Sequence, residues 1–320
     1  MSEIVRLLSV ETGLTDSAVR RIMTSAPVRY KEYLIPKRSG GMRKIAQPAR
    51  EVKLVQRAFI STFLTTLPIH QSATAYRAGL SIRDNATPHI GHGPILKMDL
   101  RDFFPSIRRQ DWVSYCRDSG CLQSEEDVHL TASLLFHRQS GHRLFRLAIG
   151  APSSPMLSNI LMFDFDTRIT ELVANDRVAY TRYADDLTFS APRTGFLNGV
   201  IKDVARTIRG LRYPKLEINP EKTTFVTSKY HRSVTGLTIT NDGRVTIGRE
   251  SKRRIHAAVH QALLSRLSSD ELQVLAGSLA YANSVEPEFL SVLRRRYGND
   301  IVIYIQQHVV LGHQIASDRN

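Results

Sequence analysis

Two adjacent aspartates, Asp185 and Asp186, stand between two short segments that both have the character of β-strands. Residues 178–183 precede them and residues 187–190 follow, and strand-favouring valine, tyrosine, threonine and phenylalanine make up much of both segments. Because only Ala184 separates the first segment from the aspartates, the pattern predicts a β-hairpin whose tip bears two carboxylates. The apolar flanks indicate that this turn leaves a buried sheet.

A third aspartate, Asp99, ends another apolar segment, 95–100, which predicts a half-buried strand. Carboxylates on strand ends and tight turns can converge on one point. Mg²⁺ prefers oxygen ligands and usually takes only one or two carboxylates, with waters and substrate phosphates completing its shell. Two such ions about 4 Å apart activate an attacking hydroxyl and stabilise the leaving oxygen in phosphoryl chemistry. The aspartates therefore indicate nucleotidyl transfer, although an Asp-Asp pair by itself more often caps a turn.

The charge balance supports a polyanionic partner. Lys and Arg number 44 against 30 Asp and Glu, for a net charge of +14. An excess of this size points first to nucleic acid, and the alternative is a generally basic, solvated surface.

Two classes of protein are excluded. The sequence has no apolar stretch of about 18 residues, so we expect no membrane span or membrane partner. Its only cysteines, Cys116 and Cys121, are too few for a structural zinc site. We expect both to be reduced thiols of a cytoplasmic protein.

The order of the predicted elements indicates a mixed α+β fold with a helical tail. A basic β-hairpin is predicted around the turn 37–44, and Thr15 or Asp16 is a candidate helix cap. The remaining predictions are helices at 1–30, 51–67, 106–118, 125–138, 153–172 and 194–210, strands at 223–228, 234–240 and 243–247, and helices from 250 onward.

Five sequence boxes stand in the order in which they occur in reverse transcriptases. Tyr183-Ala184-Asp185-Asp186 resembles the Tyr-x-Asp-Asp box of that family. The others resemble the fingers box (35–48), the first carboxylate box (98–104), the Gly-x-x-x-Ser-Pro box (150–155) and the lysine box (216–223). One box is weak evidence, but five in order are strong.

Two further signatures narrow the resemblance. Asn85-Ala86-Thr87-Pro88-His89 is similar to the Asn-Ala-x-x-His signature of bacterial retron reverse transcriptases, and Val234-Thr235-Gly236 is similar to their Val-Thr-Gly signature. This resemblance implies a right-hand polymerase with an antiparallel palm sheet. Its parts would be an N-terminal helical cap (1–30), fingers and palm (31–240) and a helical thumb (241–320).

The resemblance assigns roles to the catalytic positions. Asp99 and Asp185 would hold two Mg²⁺ ions, with Leu100 also at the metal site and Asp186 a less direct partner. Adjacent strand residues point in opposite directions, so Asp186 would instead orient the turn. Lys222 would donate a proton near the pyrophosphate, unless it is only a surface lysine.

Further positions would bind the incoming nucleotide. Lys37 and Arg43 of the fingers hairpin would grip the triphosphate, although a solvated basic turn is the plain alternative. Phe104 would lie under the sugar and exclude a 2′-hydroxyl, unless it only packs the core. Gly150 and Ile149 belong to the same site, but Ile149 replaces the usual glutamine and cannot form that residue's side-chain hydrogen bonds.

The signatures and the basic tail would recognise RNA. The predicted RNA-binding residues are Asn85, His89, Val234, Thr235, Gly236, Lys252, Arg253 and Arg254. For His89, a helix-capping or core histidine is an equally weighted reading, and a solvated face is the usual explanation for one basic run.

The retron resemblance implies RNA-templated DNA synthesis on a dedicated non-coding RNA of the same locus. Priming from a guanosine 2′-hydroxyl would yield branched RNA–DNA, called msDNA. The implied partners are this RNA and its msDNA, an effector protein acting as a toxin in anti-phage defence, and host RNase H. The alternatives are a reverse transcriptase of a group II intron or diversity-generating element, and a non-catalytic RNA-binding scaffold that restrains a toxin.

Overall fold

The computed structural model describes residues 2–37, 40–139, 141 and 143–317, with side chains up to residue 308. Arg38 and Ser39 of the predicted basic turn lie outside the described residues. The helices, in chain order, are α1 (Glu3–Thr12), α2 (Asp16–Ser25), α3 (Arg50–Thr62), α4 (Ile82–Ala86), α5 (Phe103–Ser106), α6 (Arg109–Ser119), α7 (Glu125–Leu135), α8 (Ser154–Leu161), α9 (Phe163–Ala174), α10 (Val200–Gly210), α11 (Arg249–Leu263), α12 (Ser269–Val285), α13 (Pro287–Tyr297) and α14 (Asn299–Ser317).

Strands alternate with these helices, so the predicted α+β class is confirmed. They are β1 (Tyr30–Pro36), β2 (Met42–Pro48), β3 (Ile95–Leu100), β4 (His137–Arg138), β5 (Phe145–Arg146), β6 (Ala179–Tyr183), β7 (Asp186–Ser190), β8 (Ile218–Val226), β9 (Ser233–Val234), β10 (Leu237–Ile239) and β11 (Val245–Thr246). Short 3₁₀ turns occur at Ala26–Val28, Leu64–Thr66, Thr87–His89 and Thr194–Leu197.

The chain divides into two compact units, Met1–Ser81 with Gly93–Phe225, and Ile82–His92 with Val226–Asn320. The names fingers, palm and thumb, with bounds at 31–240 and 241–320, stay predictions.

The central sheet of the first unit has the strand order β6-β7-β3-β8. Both β6 and β3 pair antiparallel with β7. The predicted hairpin is therefore correct, and it places β7 directly beside the strand of Asp99. Residues of β3 are buried except Lys97, because the strand lies inside the sheet and within the main hydrophobic core.

Helices cover this sheet and form the rest of the core. The N-terminal pair α1 and α2 packs on α3 and α7. Each of these two helices is capped at its N-terminus by a side-chain hydroxyl, that of Ser2 for α1 and that of the predicted Thr15 for α2. Each hydroxyl accepts a hydrogen bond from the backbone N–H of the residue three positions further along. The hairpin of β1 and β2 pairs antiparallel from Tyr30–Pro48 to Pro36–Met42, as the basic turn predicts. Cys116 and Cys121 are free thiols.

Several elements differ from the sequence prediction. The strand expected at 234–240 is two antiparallel strands, β9 and β10, because Thr235 and Gly236 have positive φ values and form a turn between them. The single helix expected at 153–172 is divided at Met162, whose ψ of 1° interrupts the α geometry between α8 and α9. The strand expected at 223–228 begins earlier, at Ile218, because β8 is an edge strand that tolerates Pro220 and polar residues.

The second unit joins a three-stranded sheet of order β11-β10-β9 to helices α11 to α14. Helix α12 begins in a capping box, in which Ser268 and Glu271 each bond the other's backbone N–H. The short helix α4 packs on β10, so a segment from the middle of the sequence belongs to this unit. No helix among the described residues is both long and apolar enough to cross a membrane.

Candidate active site

The three aspartates meet where β3 lies beside the β6–β7 turn. Tyr183 pairs with Asp186, so Ala184 and Asp185 form a two-residue turn. Ala184 has a φ of 58°, a left-handed conformation that is costly for alanine. Asp99 lies opposite Asp186 in the strand register. The N–H of the next residue in β3 donates to the carbonyl of Asp185 at 3.0 Å, which closes the turn against this strand.

The edge strand β8 brings the lysine box to Asp99. Lys222 Nζ donates to Asp99 Oδ2 at 2.7 Å, and Asn219 Nδ2 donates to Asp99 Oδ1 at 3.2 Å. The Asp99 side chain is only 7% exposed whereas that of Lys222 is 61% exposed. The hydrogen bond to Asp99 raises the pKa of Lys222. The structure therefore holds a protonated amine between the carboxylate and solvent.

Burial, and to a smaller extent repulsion between the carboxylates, raises the pKa of both Asp185 and Asp186. Desolvation, with a smaller contribution from repulsion by Asp99, raises the pKa of Asp185. Loss of hydration, followed by repulsion from Asp185 and Asp99, raises the pKa of Asp186 to about 6, although the residue as a whole retains an exposed surface. The charges of Lys222 and Arg43 offset only part of this rise at Asp185, and a further cation beside the turn would favour the ionised carboxylates.

The two phenylalanines of the first carboxylate box have different surroundings. Phe103 is buried at 4% exposure, whereas Phe104 is half-buried. The Phe104 ring lies 5.5 Å from that of Phe103 and 6.2 Å from that of Tyr76, between centroids. Tyr76 has a φ of 61° and is 44% exposed. Phe103 is thus the core residue, and Phe104 with Tyr76 forms a partly open aromatic wall.

The Gly-x-x-x-Ser-Pro box packs against the hairpin strand β2. Ala46 N–H donates to the carbonyl of Ile149 at 2.9 Å. Gly150 has a φ of 121°, and a Cβ there would lie 3.0 Å from both Ala46 O and Ile45 Cγ2. A side chain at Gly150 would push the box off β2, so the position requires glycine.

The basic residues of the hairpin are exposed. Lys37 N–H donates to the carbonyl of Gly41 within the turn, and Arg43 lies opposite Ile35. Arg43 is near enough to Asp185 to lower that residue's pKa. Its role at the triphosphate stays a prediction.

Sequence reasoning did not find one residue beneath the turn, Arg182. This arginine is fully buried and bonds Asp166, Asn159 and the carbonyl of Ala184. The only signal in the sequence is an arginine inside an otherwise apolar strand.

The predicted RNA-binding residues lie in the second unit. Asn85, His89 and Val234 are buried at 1%, 0% and 0% exposure. Thr235 and Gly236 follow with positive φ values, 47° and 82°. The two signatures are thus packed together inside this unit.

The basic residues in the first turns of α11 are of two kinds, exposed and ion-paired. Arg253 and Arg254 are exposed, whereas Lys252 is paired with Glu286 and lies over the ring of Phe289. Contact of the exposed pair with phosphates stays a prediction.

Comparisons with known proteins agree with this geometry. The family described as reverse transcriptase (RNA-dependent DNA polymerase) matches residues 35–274. The retron Ec83 reverse transcriptase of Escherichia coli is 34% identical over 290 residues, which cover 90% of this chain and 93% of that protein. The retron Ec73 reverse transcriptase of the same organism is 32% identical over 312 residues, 93% of this chain and 96% of that protein.

A solved telomerase structure from Candida albicans, in complex with a fragment of telomeric RNA, aligns over 90% of this chain and 56% of that one. Its identity is 13% and its TM-score 0.45, a likeness too distant to bear on function.

The carboxylate turn and the matching family define an RNA-directed DNA polymerase with the right-hand polymerase fold. More narrowly, the chain belongs to the retron reverse transcriptases.

Enzymes of this family generally use divalent metal ions. Among the described residues, no three His, Cys, Asp or Glu side chains gather closely enough to hold an ion by themselves. Asp99 and Asp185 fit the small carboxylate set of a divalent ion that also binds substrate phosphates, and such an ion would favour the ionised forms of the carboxylates at the turn.

Proposed function

We propose that the protein reverse-transcribes a structured non-coding RNA of its own locus into msDNA, primed from a guanosine 2′-hydroxyl. The observation that supports this most directly is the meeting of Asp99 with the turn of Asp185, backed by Lys222. The membership in the retron family supports the dedicated RNA template.

In the proposed mechanism, Asp99 and Asp185 would hold Mg²⁺, with Asp186 and Leu100 beside them. Bound there, Mg²⁺ would supply activation of the attacking hydroxyl and stabilisation of the charge on the leaving pyrophosphate. Asp185 approaches this point because Ala184 turns in the left-handed conformation and the N–H of Leu100 fixes the carbonyl of Asp185.

Lys222 supplies the proton in this proposal. Its ammonium is hydrogen-bonded to Asp99 and exposed on the other side, so it can reach a leaving phosphate oxygen from the site it occupies. Arg43 and Lys37 of the exposed hairpin bind the triphosphate, where the arginine forms bidentate bonds. Phe104 packs under the sugar.

The wider role is also proposed. We infer that the enzyme acts in the cytoplasm, that host RNase H removes the template, and that an effector toxin from the same locus works with it in anti-phage defence. This is tested by phage plating on cells with the intact locus and on cells with an Asp185→Asn variant. Equal protection in both would contradict a defence role for DNA synthesis and would favour the scaffold function.

The central test is expression of the gene with its native flanking DNA, followed by purification and extraction of bound nucleic acid. We expect a short discrete DNA that survives RNase and changes mobility after debranching. Asp185→Asn should abolish it. Asp164→Asn, at an exposed carboxylate paired with Arg168 on the same helix, is the matched control and should retain it.

Two outcomes would contradict the proposal. DNA without a branch would indicate another kind of reverse transcriptase. A defined bound RNA with no DNA, unchanged in Asp185→Asn, would favour an RNA-binding scaffold.

A further inference from the structure

The buried guanidinium of Arg182 makes directed contacts on every side. Its Nε and Nη2 donate to the two oxygens of Asp166, at 2.8 Å to Oδ1 and 2.6 Å to Oδ2. Its Nη1 donates to Asn159 Oδ1 at 3.0 Å and to the carbonyl of Ala184 at 3.1 Å. The side chains of Arg182 and Asp166 are both 0% exposed. The pair thus fixes an arginine fork directly beneath the catalytic turn.

Burying the ion pair of Arg182 and Asp166 beneath the turn is energetically unfavourable compared with packing apolar side chains there. Desolvating both charges costs several kcal/mol, and well-packed apolar residues of similar volume often stabilise a fold equally well or better. What apolar residues cannot do is donate a hydrogen bond to a chosen carbonyl. That carbonyl belongs to Ala184, the left-handed residue immediately before Asp185. The bond from Arg182 therefore holds the peptide group that orients Asp185.

The same residue also orders a second segment. Arg182 N–H donates to the carbonyl of Ser72 at 2.7 Å, and Thr74 N–H donates to the carbonyl of Arg182 at 2.9 Å. Asn159, which accepts from the guanidinium, donates through Nδ2 to the carbonyl of Ala75 at 2.7 Å. Backbone and side chain together thus hold residues 72–75 against β6.

Tyr76 follows this segment directly. Its left-handed φ of 61° is unfavourable for tyrosine, so it persists because the surrounding contacts impose it. Its ring faces that of Phe104. One buried network therefore ends on one side at the turn of Asp185 and on the other at the aromatic wall.

We propose that Arg182 is a positioning residue that aligns the metal-binding turn with the wall under the nucleotide sugar. The proposal rests on the proposed roles of Asp185 and Phe104. Loosening the network should slow nucleotide addition and weaken the exclusion of ribonucleotides together, because displacements well below 1 Å are enough to impair catalysis.

The test compares two substitutions within the same network. Asn159→Ala removes one of the acceptors of Arg182 Nη1 and the bond to the carbonyl of Ala75. Tyr180→Phe is the matched control, because the Tyr180 hydroxyl donates to Asp166 Oδ1 at 2.7 Å, whereas the bonds to the carbonyls of Ala184 and Ala75 come from Arg182 and Asn159. Both variants lose buried hydrogen bonds, so thermal unfolding shows how much stability each has lost.

Single-turnover incorporation of one nucleotide on a supplied RNA template and DNA primer separates the maximal rate from the nucleotide Kd. We expect Asn159→Ala to slow the maximal rate about tenfold or more, to change the deoxynucleotide Kd by less than about threefold, and to raise ribonucleotide use. Tyr180→Phe should stay within about twofold of the wild-type protein in all three. Arg182→Lys keeps the charge but not the fork, and we expect it to resemble Asn159→Ala.

Equal effects of Asn159→Ala and Tyr180→Phe, or a wild-type rate in Asn159→Ala, would overturn the inference while leaving the enzyme's function intact. Slower addition with unchanged sugar selectivity would overturn the link to the aromatic wall. A wild-type protein that makes no DNA would overturn the proposed function, and this inference with it.

Discussion

Asn85 Nδ2 donates a hydrogen bond of 3.4 Å to Oγ1 of Thr235, which lies 150 residues further along the chain. Thr235 Oγ1 in turn donates to the carbonyl of Ile82 at 3.3 Å. Each of the two retron signatures contributes one side of this contact. Because Asn85 is only 1% exposed, its amide serves the interior of the second unit, where it fastens α4 to the turn between β9 and β10.

The contact predicts a measurable coupling. Asn85→Ala should lower the free energy of unfolding by about 1–3 kcal/mol, since it leaves buried polar groups without a partner. A double-mutant cycle with Thr235→Ala should give a coupling energy of about 0.5–1 kcal/mol, measured by urea unfolding of the full chain. Thr235→Ser, which keeps the hydroxyl, is the control and should retain most of the coupling. Strictly additive losses for Asn85→Ala and Thr235→Ala would show that the contact adds nothing to stability.

His89 makes the stability of the protein sensitive to acid. It is fully buried, and desolvation, with a smaller contribution from the charge of His92, lowers its pKa to about 3. An unfolded chain binds this proton near pH 6.5. Between about pH 6.5 and 3 the unfolded state therefore holds a proton that the folded state lacks, so the free energy of unfolding falls as the pH falls, by up to about 1.4 kcal/mol per unit.

Urea unfolding at pH 7.5 and 5.5 tests this dependence. His89→Gln should show a smaller loss of stability between the two values than the wild-type protein does, by about 1 kcal/mol. His260→Gln, at an exposed histidine of α11, is the control and should behave as wild type. If His89→Gln lost as much stability between these pH values as the wild-type protein does, the acid sensitivity would come from groups other than His89.

Local sequence patterns predicted the secondary-structure elements of the site, but they did not predict contacts between residues that are far apart in the chain. The hairpin of Asp185 was predictable because apolar strand residues flank a short polar turn. The resemblance predicted Lys222 near the pyrophosphate, but its hydrogen bond to Asp99, 123 residues away, was not predicted. The position of Arg182 inside a strand does not show that it is buried, because its charge is balanced by Asp166 from helix α9.

Two further features of the structure also depend on contacts that the local sequence does not reveal. The left-handed φ of Tyr76 is imposed by contacts of the preceding residues and is contrary to the preference of tyrosine. Lys252 was predicted to bind phosphate from its place in a basic run, but the run does not reveal Glu286, 34 residues away, which pairs with it.

Lys222 should be needed for the rate of DNA synthesis more than for the fold. Lys222→Met keeps most of the side-chain volume and removes the ammonium, and we expect the rate of nucleotide addition to fall about 100-fold, as for loss of a general acid. Lys222→Arg preserves the positive charge beside Asp99, but guanidinium does not release its proton. We therefore expect it to remain slow in single-turnover assays although its thermal stability matches the wild-type protein. A wild-type rate in Lys222→Arg would show that charge alone is required.

Phe104 should control the choice of sugar. Its half-buried ring forms the aromatic wall with Tyr76, and removing it opens room for a 2′-hydroxyl. We expect Phe104→Ala to raise the use of ribonucleotides relative to deoxynucleotides by about 10- to 100-fold, the range in which one apolar group in a pocket discriminates. The measurement is the ratio of incorporation efficiencies for matched nucleotide pairs on one RNA template. The neighbouring Phe103→Leu is the control, because that ring is buried in the core. It should lower the melting temperature and leave the ratio unchanged. A larger shift in Phe103→Leu than in Phe104→Ala would mean that selectivity depends on core packing and not on the wall.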